Sequence, residues 1–390
     1  MPQIMLKISI DATPLTSQPS GIGLYVYNLI NSLDSLQKNE NFELRVVRQT
    51  RLKNWLQFKL NEPNFRSLNT PIHTLPIPVS ITNILSKIPN PILPYYEGCF
   101  GLSDIVHGTD YFVYPCAKSI NFMTICDLTF IKYPYFASQI VKTYTNRIKQ
   151  CLKWTDAIIT ISETSKQDII QYLNIKPEKI FVTPLASRYN SDYFEQKNIL
   201  NLLGQQVIYD FSKPYLLFVS TIEPRKNINT IITAFNILKQ QHKIEHHLIM
   251  IGKKGWIYEP IFAAIASSPW KDEIHHLDYL SDELVALFYS KADVFVYPSH
   301  YEGFGLPVLE AMTLGAPVVS SNTSSIPEVA GDAAILIDPE DPMQLAESIL
   351  KVISDRQLRK DLIARGKARA KLFSWERTAK ATLNAYRTII

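Results

Sequence analysis

The sequence predicts an α/β protein made of two βα domains, each built around a largely parallel sheet. Three observations predict it. The chain has 390 residues, which at roughly 150 residues per domain is two or three domains' worth of core. Short apolar runs alternate with stretches of helical period, the pattern of parallel strands joined by crossover helices. The alternation occurs twice, on either side of a polar, Asn/Gln-rich stretch at residues 190–206. With 46% hydrophobic and 19% charged residues, the chain has the apolar content of a folded protein and not the high charge of a disordered one.

In the first half, Met5 to Ala12 reads as a strand that runs through a Ser/Gly loop into a helix over Ile22 to Leu33, where Leu24, Tyr25, Tyr27, Leu29 and Ile30 recur at helical spacing. Apolar runs at Leu44 to Val47, Asp104 to His107, Phe122 to Cys126, Ala157 to Ile161 and Lys179 to Val182 supply further strands. Ser162 caps the helix that follows Ile161. In the second half the strands are Tyr215 to Ser220, His247 to Gly252, Ile274 to Leu277, Asp293 to Tyr297, Pro317 to Ser320 and Ala334 to Ile337. Helices fit Asn227 to Gln240, Ser281 to Tyr289, Pro307 to Leu314 and Pro342 to Ile353, the last opened by an Asp341 cap, Pro342 at the first position and a capping-box Gln344. The expected boundaries are a first domain over 1–195, a second over 205–372, and a C-terminal helix over 373–390, begun at Ser374, that packs back toward the first domain.

No run reaches the roughly 18 to 20 uninterrupted apolar residues of a spanning helix, and Met1 to Lys7 lacks the basic start and apolar core of a secretory signal. Cys99, Cys116, Cys126 and Cys151 form no C-x-x-C pair and no metal-ligand spacing, which points to a reducing cytoplasm. A net charge of +4 is too small to argue for nucleic acid, which is not an expected partner. Basic residues do cluster at 41–70 and at 351–390. The first cluster mixes Arg45, Arg48, Arg51, Lys53 and Lys59 with Trp55, Leu56 and Phe58, and the Pro-rich stretch after it adds Ile84, Leu85 and Ile92. Together these could contact an anionic membrane surface or a lipid-diphosphate acceptor; the alternative is a solvated basic helix beside ordinary core residues. The second cluster fits the outer faces of helices. His242, His246, His247, His275 and His276 lack a matching carboxylate or cysteine set and read as solvated helix and strand ends rather than metal ligands.

Glycine is scarce, at 13 of 390, about 3% where roughly 7% is usual. Six of the thirteen form the pairs Gly21/Gly23, Gly252/Gly255 and Gly303/Gly305, each behind an apolar run, where a ligand can approach the backbone. In Tyr301-Glu302-Gly303-Phe304-Gly305-Leu306-Pro307-Val308-Leu309-Glu310, strand, glycine loop and helix start follow in order. The N–H groups at this helix start, over Gly303, Phe304, Gly305 and Leu306, suit hydroxyl or anionic acceptors. Glu310, one turn inside the helix, can point toward the same pocket as Glu302, and a carboxylate suits paired sugar hydroxyls. In Phe218-Val219-Ser220-Thr221-Ile222-Glu223-Pro224-Arg225-Lys226-Asn227, two cations sit just beyond a strand, before a helix that Asn227 caps. Arg225 and Lys226 would neutralise a diphosphate.

These residues resemble the nucleotide-sugar-dependent glycosyltransferases of the retaining group known as group 1 or family 4, whose GT-B fold sets two Rossmann-like domains facing across a cleft, with C-terminal helices. The resemblance covers most of the chain. Besides the two motifs it rests on Gly252-Lys253-Lys254-Gly255-Trp256, Tyr279-Leu280-Ser281-Asp282-Glu283-Leu284, Asn322 to Val329 and Gly331-Asp332-Ala333-Ala334. Gly21-Ile22-Gly23-Leu24-Tyr25, His107-Gly108 and Ser162-Glu163-Thr164-Ser165 are less specific landmarks in the first domain.

The resemblance implies a nucleotide-sugar donor held by the second domain, a glycan or lipid-linked saccharide acceptor held by the first, and retention at the anomeric carbon. It implies no cofactor and no metal, because Arg225 and Lys226 carry the diphosphate leaving group. Glu302 with the backbone of Gly303 to Leu306 would meet the donor sugar or diphosphate, Glu310 the ribose hydroxyls, and Gly23 the phosphates. The segments around Arg225 and Gly252 resemble mannosyltransferase-like members most, so GDP-mannose is the expected donor and a UDP- or dTDP-sugar the second choice. The expected place is the cytoplasm, as the cysteines suggest, and the basic segment at 45–59 leaves open a peripheral contact with the inner face of the membrane.

One departure stands out. Where the family often has His-Asp at a strand end, this chain has Thr124-Ile125-Cys126-Asp127-Leu128. Asp127 could position the acceptor or order its loop, and Cys126 could be simply a small buried residue. A nucleotide-sugar epimerase on the same fold and a non-catalytic nucleotide-sugar-binding protein are the two other readings of the sequence.

Overall fold

The computed structural model describes residues 5–15, 21–50, 52–57, 68, 70–85, 97–136, 139–193 and 209–390. The chain divides into two units, the first of residues 1–185 with 374–390, the second of 186–373.

Among the described residues the first unit holds seven strands: β1 (Leu6–Asp11), β2 (Phe42–Arg48), β3 (Ile72–Thr74), β4 (Ile105–Gly108), β5 (Ile120–Thr124), β6 (Ala157–Thr160) and β7 (Ile180–Val182). They lie in the order β3-β2-β1-β4-β5-β6-β7, with every pairing parallel. The second unit holds β8 (Tyr215–Val219), β9 (His247–Ile251), β10 (Ile274–Leu277), β11 (Val294–Tyr297), β12 (Val318–Ser321) and β13 (Ile335–Ile337) in the order β10-β9-β8-β11-β12-β13, again all parallel. Counted from its own first strand, the second sheet reads 3-2-1-4-5-6, the doubly wound Rossmann order, and the first reads the same with a seventh strand added at the end; the direction reverses between the first and fourth strands.

The central strands are continuous apolar runs because both faces are covered. Every residue of β8 and of β11 is buried. The helix Gly21–Leu36 presents Tyr25, Val26, Leu29, Ile30 and Leu33 on one side, none more than 1% exposed. Burying each such side chain contributes roughly 1.5–3 kcal/mol, and Leu29→Ala would cost about 2–5 kcal/mol. Against this helix packs Trp375–Ile389, whose buried stripe is Thr378, Ala379, Thr382, Leu383 and Tyr386. The Tyr386 hydroxyl lies 2.6 Å from His107 Nδ1, and the Thr378 hydroxyl donates to the carbonyl of Pro184 at 2.6 Å, so the C-terminal helix is pinned to the first sheet.

Several caps are those expected. Ser162 Oγ accepts from the N–H of Ser165, Ser374 Oγ from that of Arg377, and Asp341 Oδ1 from that of Gln344. Gln344 differs in detail, since its side-chain oxygen accepts from Asp338 N at 2.7 Å rather than from the cap's own N–H.

Other expectations need correction. The first unit ends at 185 rather than 195, because Arg188 and Tyr189 bond to Asp282 and Glu310 of the second. The strand β3 and the helices Gln139–Cys151 and Glu259–Ser267 were not read from the sequence. The basic segment 45–59 is no single helix: Arg45 and Arg48 belong to β2, and the helix after it is the five-residue Leu52–Leu56. Arg51, Phe58, Lys59 and Ile92 lie outside the described residues. Among the described residues no helix is long and apolar enough to cross a membrane. Of the histidines, His242 is exposed at the end of the helix Ile228–His242, as expected, while the other four are engaged. His247 and His275 stack at 5.0 Å with a nitrogen contact of 2.9 Å, His246 lies 3.4 Å from Asp293, and His276 Nε2 is 2.8 Å from the carbonyl of Gly252.

Candidate active site

In a doubly wound sheet, ligands bind beyond the carboxyl ends of the strands, where the order reverses. In the second unit that point lies between β8 and β11, and the two motifs leave from these strands. After β8 the chain makes a bridge between Ile222 and Lys254, then a 3₁₀ turn over Pro224–Lys226. The turn ends at Asn227 with φ of 57°, a left-handed conformation that asparagine tolerates. Asn227 therefore does not cap the helix Ile228–His242 with its side chain as expected; its Nδ2 donates to Pro339 O and its Oδ1 accepts from the Thr230 hydroxyl.

This turn presents Arg225 and Lys226 to Glu302, which follows β11. Lys226 Nζ donates to Glu302 Oε1 at 2.7 Å and to the Tyr297 hydroxyl at 2.8 Å, and that hydroxyl is itself 3.0 Å from Glu302 Oε1. Arg225 Nη1 donates to Glu302 Oε2 at 3.2 Å and to the carbonyl of Tyr301 at 2.7 Å, while its Nε and Nη2 both donate to Glu223 Oε1, at 3.1 and 2.8 Å. Glu302 is fixed through its backbone as well, its N–H donating to Ser324 Oγ at 2.9 Å and its carbonyl accepting from Ser325 Oγ at 2.9 Å.

Glu223, Lys226 and Glu302 are each at most 6% exposed, so the cluster is two cations and two carboxylates held largely out of water. Burial raises the Glu302 pKa, but Lys226 and Arg225 outweigh it and bring the carboxyl down to about 2. Lys226 is lowered from its ordinary value by burial and then by Arg225, with Glu302 opposing. Two N–H groups of its ammonium go to Tyr297 and Glu302, which leaves the third for a ligand.

The loop from Gly303 opens the helix Leu306–Leu314. Gly305 caps it with φ of 100°, a conformation that calls for glycine, and a Cβ there would also press on the Ile326 Cδ1 methyl at 2.7 Å. Pro307 falls in the first turn, where its missing N–H costs nothing. Phe304 is buried with its ring edge-on to Phe373, so what it can offer a ligand is backbone. Glu310 does not join the Glu302 cluster. Arg188 grips it with two hydrogen bonds of 2.7 and 3.0 Å.

The remaining candidates, Gly23 and Asp127, belong to the first unit. Gly23 is buried in the first turn of Gly21–Leu36. Asp127 lies beyond β5, where its Oδ1 accepts from the N–H and the hydroxyl of Thr129, at 2.9 and 2.8 Å, and so orders its own loop. Cys126 is buried, and burial followed by Asp127 and Asp110 holds its thiol well above the ordinary range, which keeps it protonated. Nearby, burial raises Asp11 to about 6 against the bonds from Thr13, and lowers His107 to about 3.

The structure thus brings Arg225, Lys226 and Glu302 together. Three partners had no role in the sequence reading: Glu223, Tyr297 and Arg188. Glu223 stood beside the cations in the motif, and alternating charge in so short a loop was the available signal. Tyr297 is the last residue of an apolar strand, and Arg188 sits in a loop without period, so neither carried one.

Known proteins compare with this geometry as follows. Residues 206–369 match the family model described as glycosyl transferases group 1. The chain is 35% identical over 286 residues to O-antigen chain mannosyltransferase B of Escherichia coli, covering 73% of this chain and 74% of that protein. It is 26% identical over 324 residues to the serotype-specific mannosyltransferase WbdA of Escherichia coli, covering 80% of this chain but only 38% of that longer protein. The sucrose-phosphate synthase of Thermosynechococcus elongatus superposes with a TM-score of 0.72 over 98% of both chains at 19% identity, a likeness of fold, and the fold is GT-B.

Proposed function

We propose a donor and an acceptor from one premise: the chain belongs to the group 1 glycosyltransferases, enzymes that bind a nucleotide-sugar donor and a glycan acceptor. The donor is GDP-mannose, the mannosyl group moves with retention at the anomeric carbon, and the acceptor is a growing polysaccharide or a lipid-linked saccharide. The observation that carries this reading is the buried Arg225–Lys226–Glu302 cluster at the reversal point between β8 and β11. Mannose itself is suggested by the likeness to an O-antigen chain mannosyltransferase.

Cleaving the bond between a sugar and a nucleoside diphosphate leaves negative charge on the diphosphate. Donors placed beforehand in a poorly hydrated site stabilise that charge more strongly than water does, with no reorganisation at the moment of reaction. Lys226 and Arg225 are such donors, held in place by Glu302 and Glu223. The same two cations would serve where other enzymes use a divalent ion, so the transfer needs no metal. Glu302, kept ionised, orients the Lys226 ammonium and can accept from a sugar hydroxyl. Glu310 binds the ribose, and the N–H groups of Gly303 to Leu306 meet the donor from the helix start. In the first unit Gly23 lies near the phosphates and Asp127 orders the acceptor loop. The place of action is the cytoplasm, peripheral at the inner face of the membrane, where exposed Leu56 beside Lys53 suits an anionic surface.

A thermal-shift panel of GDP, UDP, dTDP, ADP and their sugar conjugates tests the donor, since ligand at 100 times its Kd stabilises by about 2.7 kcal/mol. The expected result is a selective shift with GDP and GDP-mannose, followed by transfer to mannosides that gives an α-linked product and persists in EDTA. Turnover of a UDP-sugar without turnover of GDP-mannose overturns the donor, and release of nucleotide with an epimerised free sugar overturns the reaction.

A further inference from the structure

Arg188 belongs to none of the motifs, yet it joins two helices at the carboxyl edge of the second sheet. Its Nε donates to Glu310 Oε1 at 2.7 Å and its Nη2 to Glu310 Oε2 at 3.0 Å, a two-pronged grip on one carboxylate. Its Nη1 donates to Asp282 Oδ1 at 2.9 Å, the first residue of the helix Asp282–Lys291. The guanidinium lies 5.2 Å from the centre of the Tyr189 ring, whose hydroxyl donates to the carbonyl of Asp282 at 3.1 Å. Glu310 is 3% exposed.

Two physical consequences follow. A glutamate has three rotatable side-chain bonds, and a planar fork that meets both oxygens fixes the position and the plane of the carboxylate at once. A bond to each oxygen from the same side uses one lone pair of each and leaves the outer lone pair open to a hydroxyl donor. The charges matter as well. Arg188 bridges two carboxylates, Asp282 and Glu310, with one guanidinium.

We propose that Arg188 is a positioning residue for the donor: it locks Glu310 so that the carboxylate offers its outer lone pairs to the ribose, and it ties that orientation to Asp282. The proposal rests on Glu310 as the ribose contact. Burial disfavours the guanidinium, but Glu310 and Asp282 hold it charged.

The experiment measures binding of GDP and UDP, each beside its 2′-deoxy and 3′-deoxy forms, by calorimetry on the full chain. The proteins compared are wild type, Arg188→Met, Arg188→Lys, Glu310→Gln and the Arg188→Met/Glu310→Gln double variant. Wild type is expected to prefer the ribonucleotide over at least one deoxy form. Arg188→Met should weaken the ribonucleotide by about tenfold, equal to 1.4 kcal/mol, and leave the deoxy form within about twofold, so that the preference disappears. Arg188→Lys keeps a charge without the fork and should recover part of the preference, and Arg188→Met should add nothing to Glu310→Gln. In turnover the loss appears in donor KM with kcat nearly unchanged. A folded Arg188→Met that retains the full ribose preference overturns the proposal; should that variant not fold, the full preference in Arg188→Lys does the same. If Glu310→Gln alone leaves the preference intact, or wild type shows none, the ribose contact of Glu310 fails and takes the proposal with it. Loss of preference in Glu310→Gln but not in the Arg188 variants refutes only the role of Arg188.

Discussion

The carboxyl ends of the two sheets share a topology and differ in electrostatics. At the reversal point of the second unit, Arg225 and Lys226 face Glu223 and Glu302, and Glu302 is brought down to about 2. At the corresponding edge of the first unit, burial pushes three groups toward their neutral forms: Asp11 up to about 6, His107 down to about 3, the Cys126 thiol well above its usual range. The difference is pairing. A charge taken from water survives where an opposite charge and hydrogen bonds meet it, and otherwise the group neutralises. The second unit therefore holds a paired, fixed-charge cluster, where Asp11, His107 and Cys126 of the first unit are held toward their neutral forms.

The strongest way to break this contrast is to remove one charge from the paired cluster. Lys226→Met should lower kcat by roughly 10²–10³, the size of a lost oxyanion-type donor. It should also cost about 3–5 kcal/mol of stability, because Glu302 stays buried with one cation fewer. Steady-state kinetics beside a urea melt separates the two effects. A folded variant within threefold of wild-type kcat would show that the cluster is structural only.

Next in size are two pH effects of opposite sign. Asp11 has a folded value above its ordinary 3.8, so its contribution is fully present below about pH 4 and is lost as pH rises through about 6. Glu302 has a folded value below its ordinary 4.5, so its contribution is present above that pH and is lost as pH falls toward 2. Each spans on the order of 3 kcal/mol by linkage. Relative to wild type, Asp11→Asn should gain stability between pH 4 and 7, and the deficit of Glu302→Gln should shrink between pH 4.5 and 2. Denaturant melts across pH 2–7 read both, and parallel curves for the two variants would erase the contrast.

Smaller again is the pin on the C-terminal helix. The Tyr386 hydroxyl lies 2.6 Å from His107 Nδ1, and His107 Nε2 lies 2.7 Å from the Thr124 hydroxyl, all three side chains buried. Tyr386→Phe leaves a buried ring nitrogen without its partner and should cost about 1–3 kcal/mol. Donor binding, read by calorimetry, should stay unchanged, since neither residue belongs to the second unit.

Much of this was legible in the sequence where local pattern and tertiary role agree. Strands such as β8 and β11 are apolar on both faces because they are covered on both faces, so their runs stood out. Gly305 and Pro307 mark a helix start by backbone geometry alone. What stayed hidden depends on long-range meetings. Arg188 reaches Glu310 across 122 positions of sequence, and neither its neighbours nor any period announces the contact. The three-residue strand β3 is too short to show alternation, and it exists because β2 offers it an edge. Asn227 looked like a cap since asparagine favours both caps and left-handed turns, and only the 3₁₀ turn before it decides which.

The smallest expected effect concerns Cys126, which stands where a histidine is common in the family. Two features argue against a part for it in proton transfer: the thiol is held protonated by burial and the neighbouring acids, and it is only 7% exposed. Asp127 beside it is engaged by Thr129, so its loop keeps its order whatever fills position 126. Cys126→Ala removes a buried sulfur and should cost about 1 kcal/mol, within the usual range for a small core truncation. Turnover should stay within about threefold and the pH–rate profile should keep its shape, because no ionisation of the thiol falls in the working range. A profile that loses a limb in Cys126→Ala would make the first unit's edge a site of ionising chemistry after all, and the contrast with the second unit would then be one of degree.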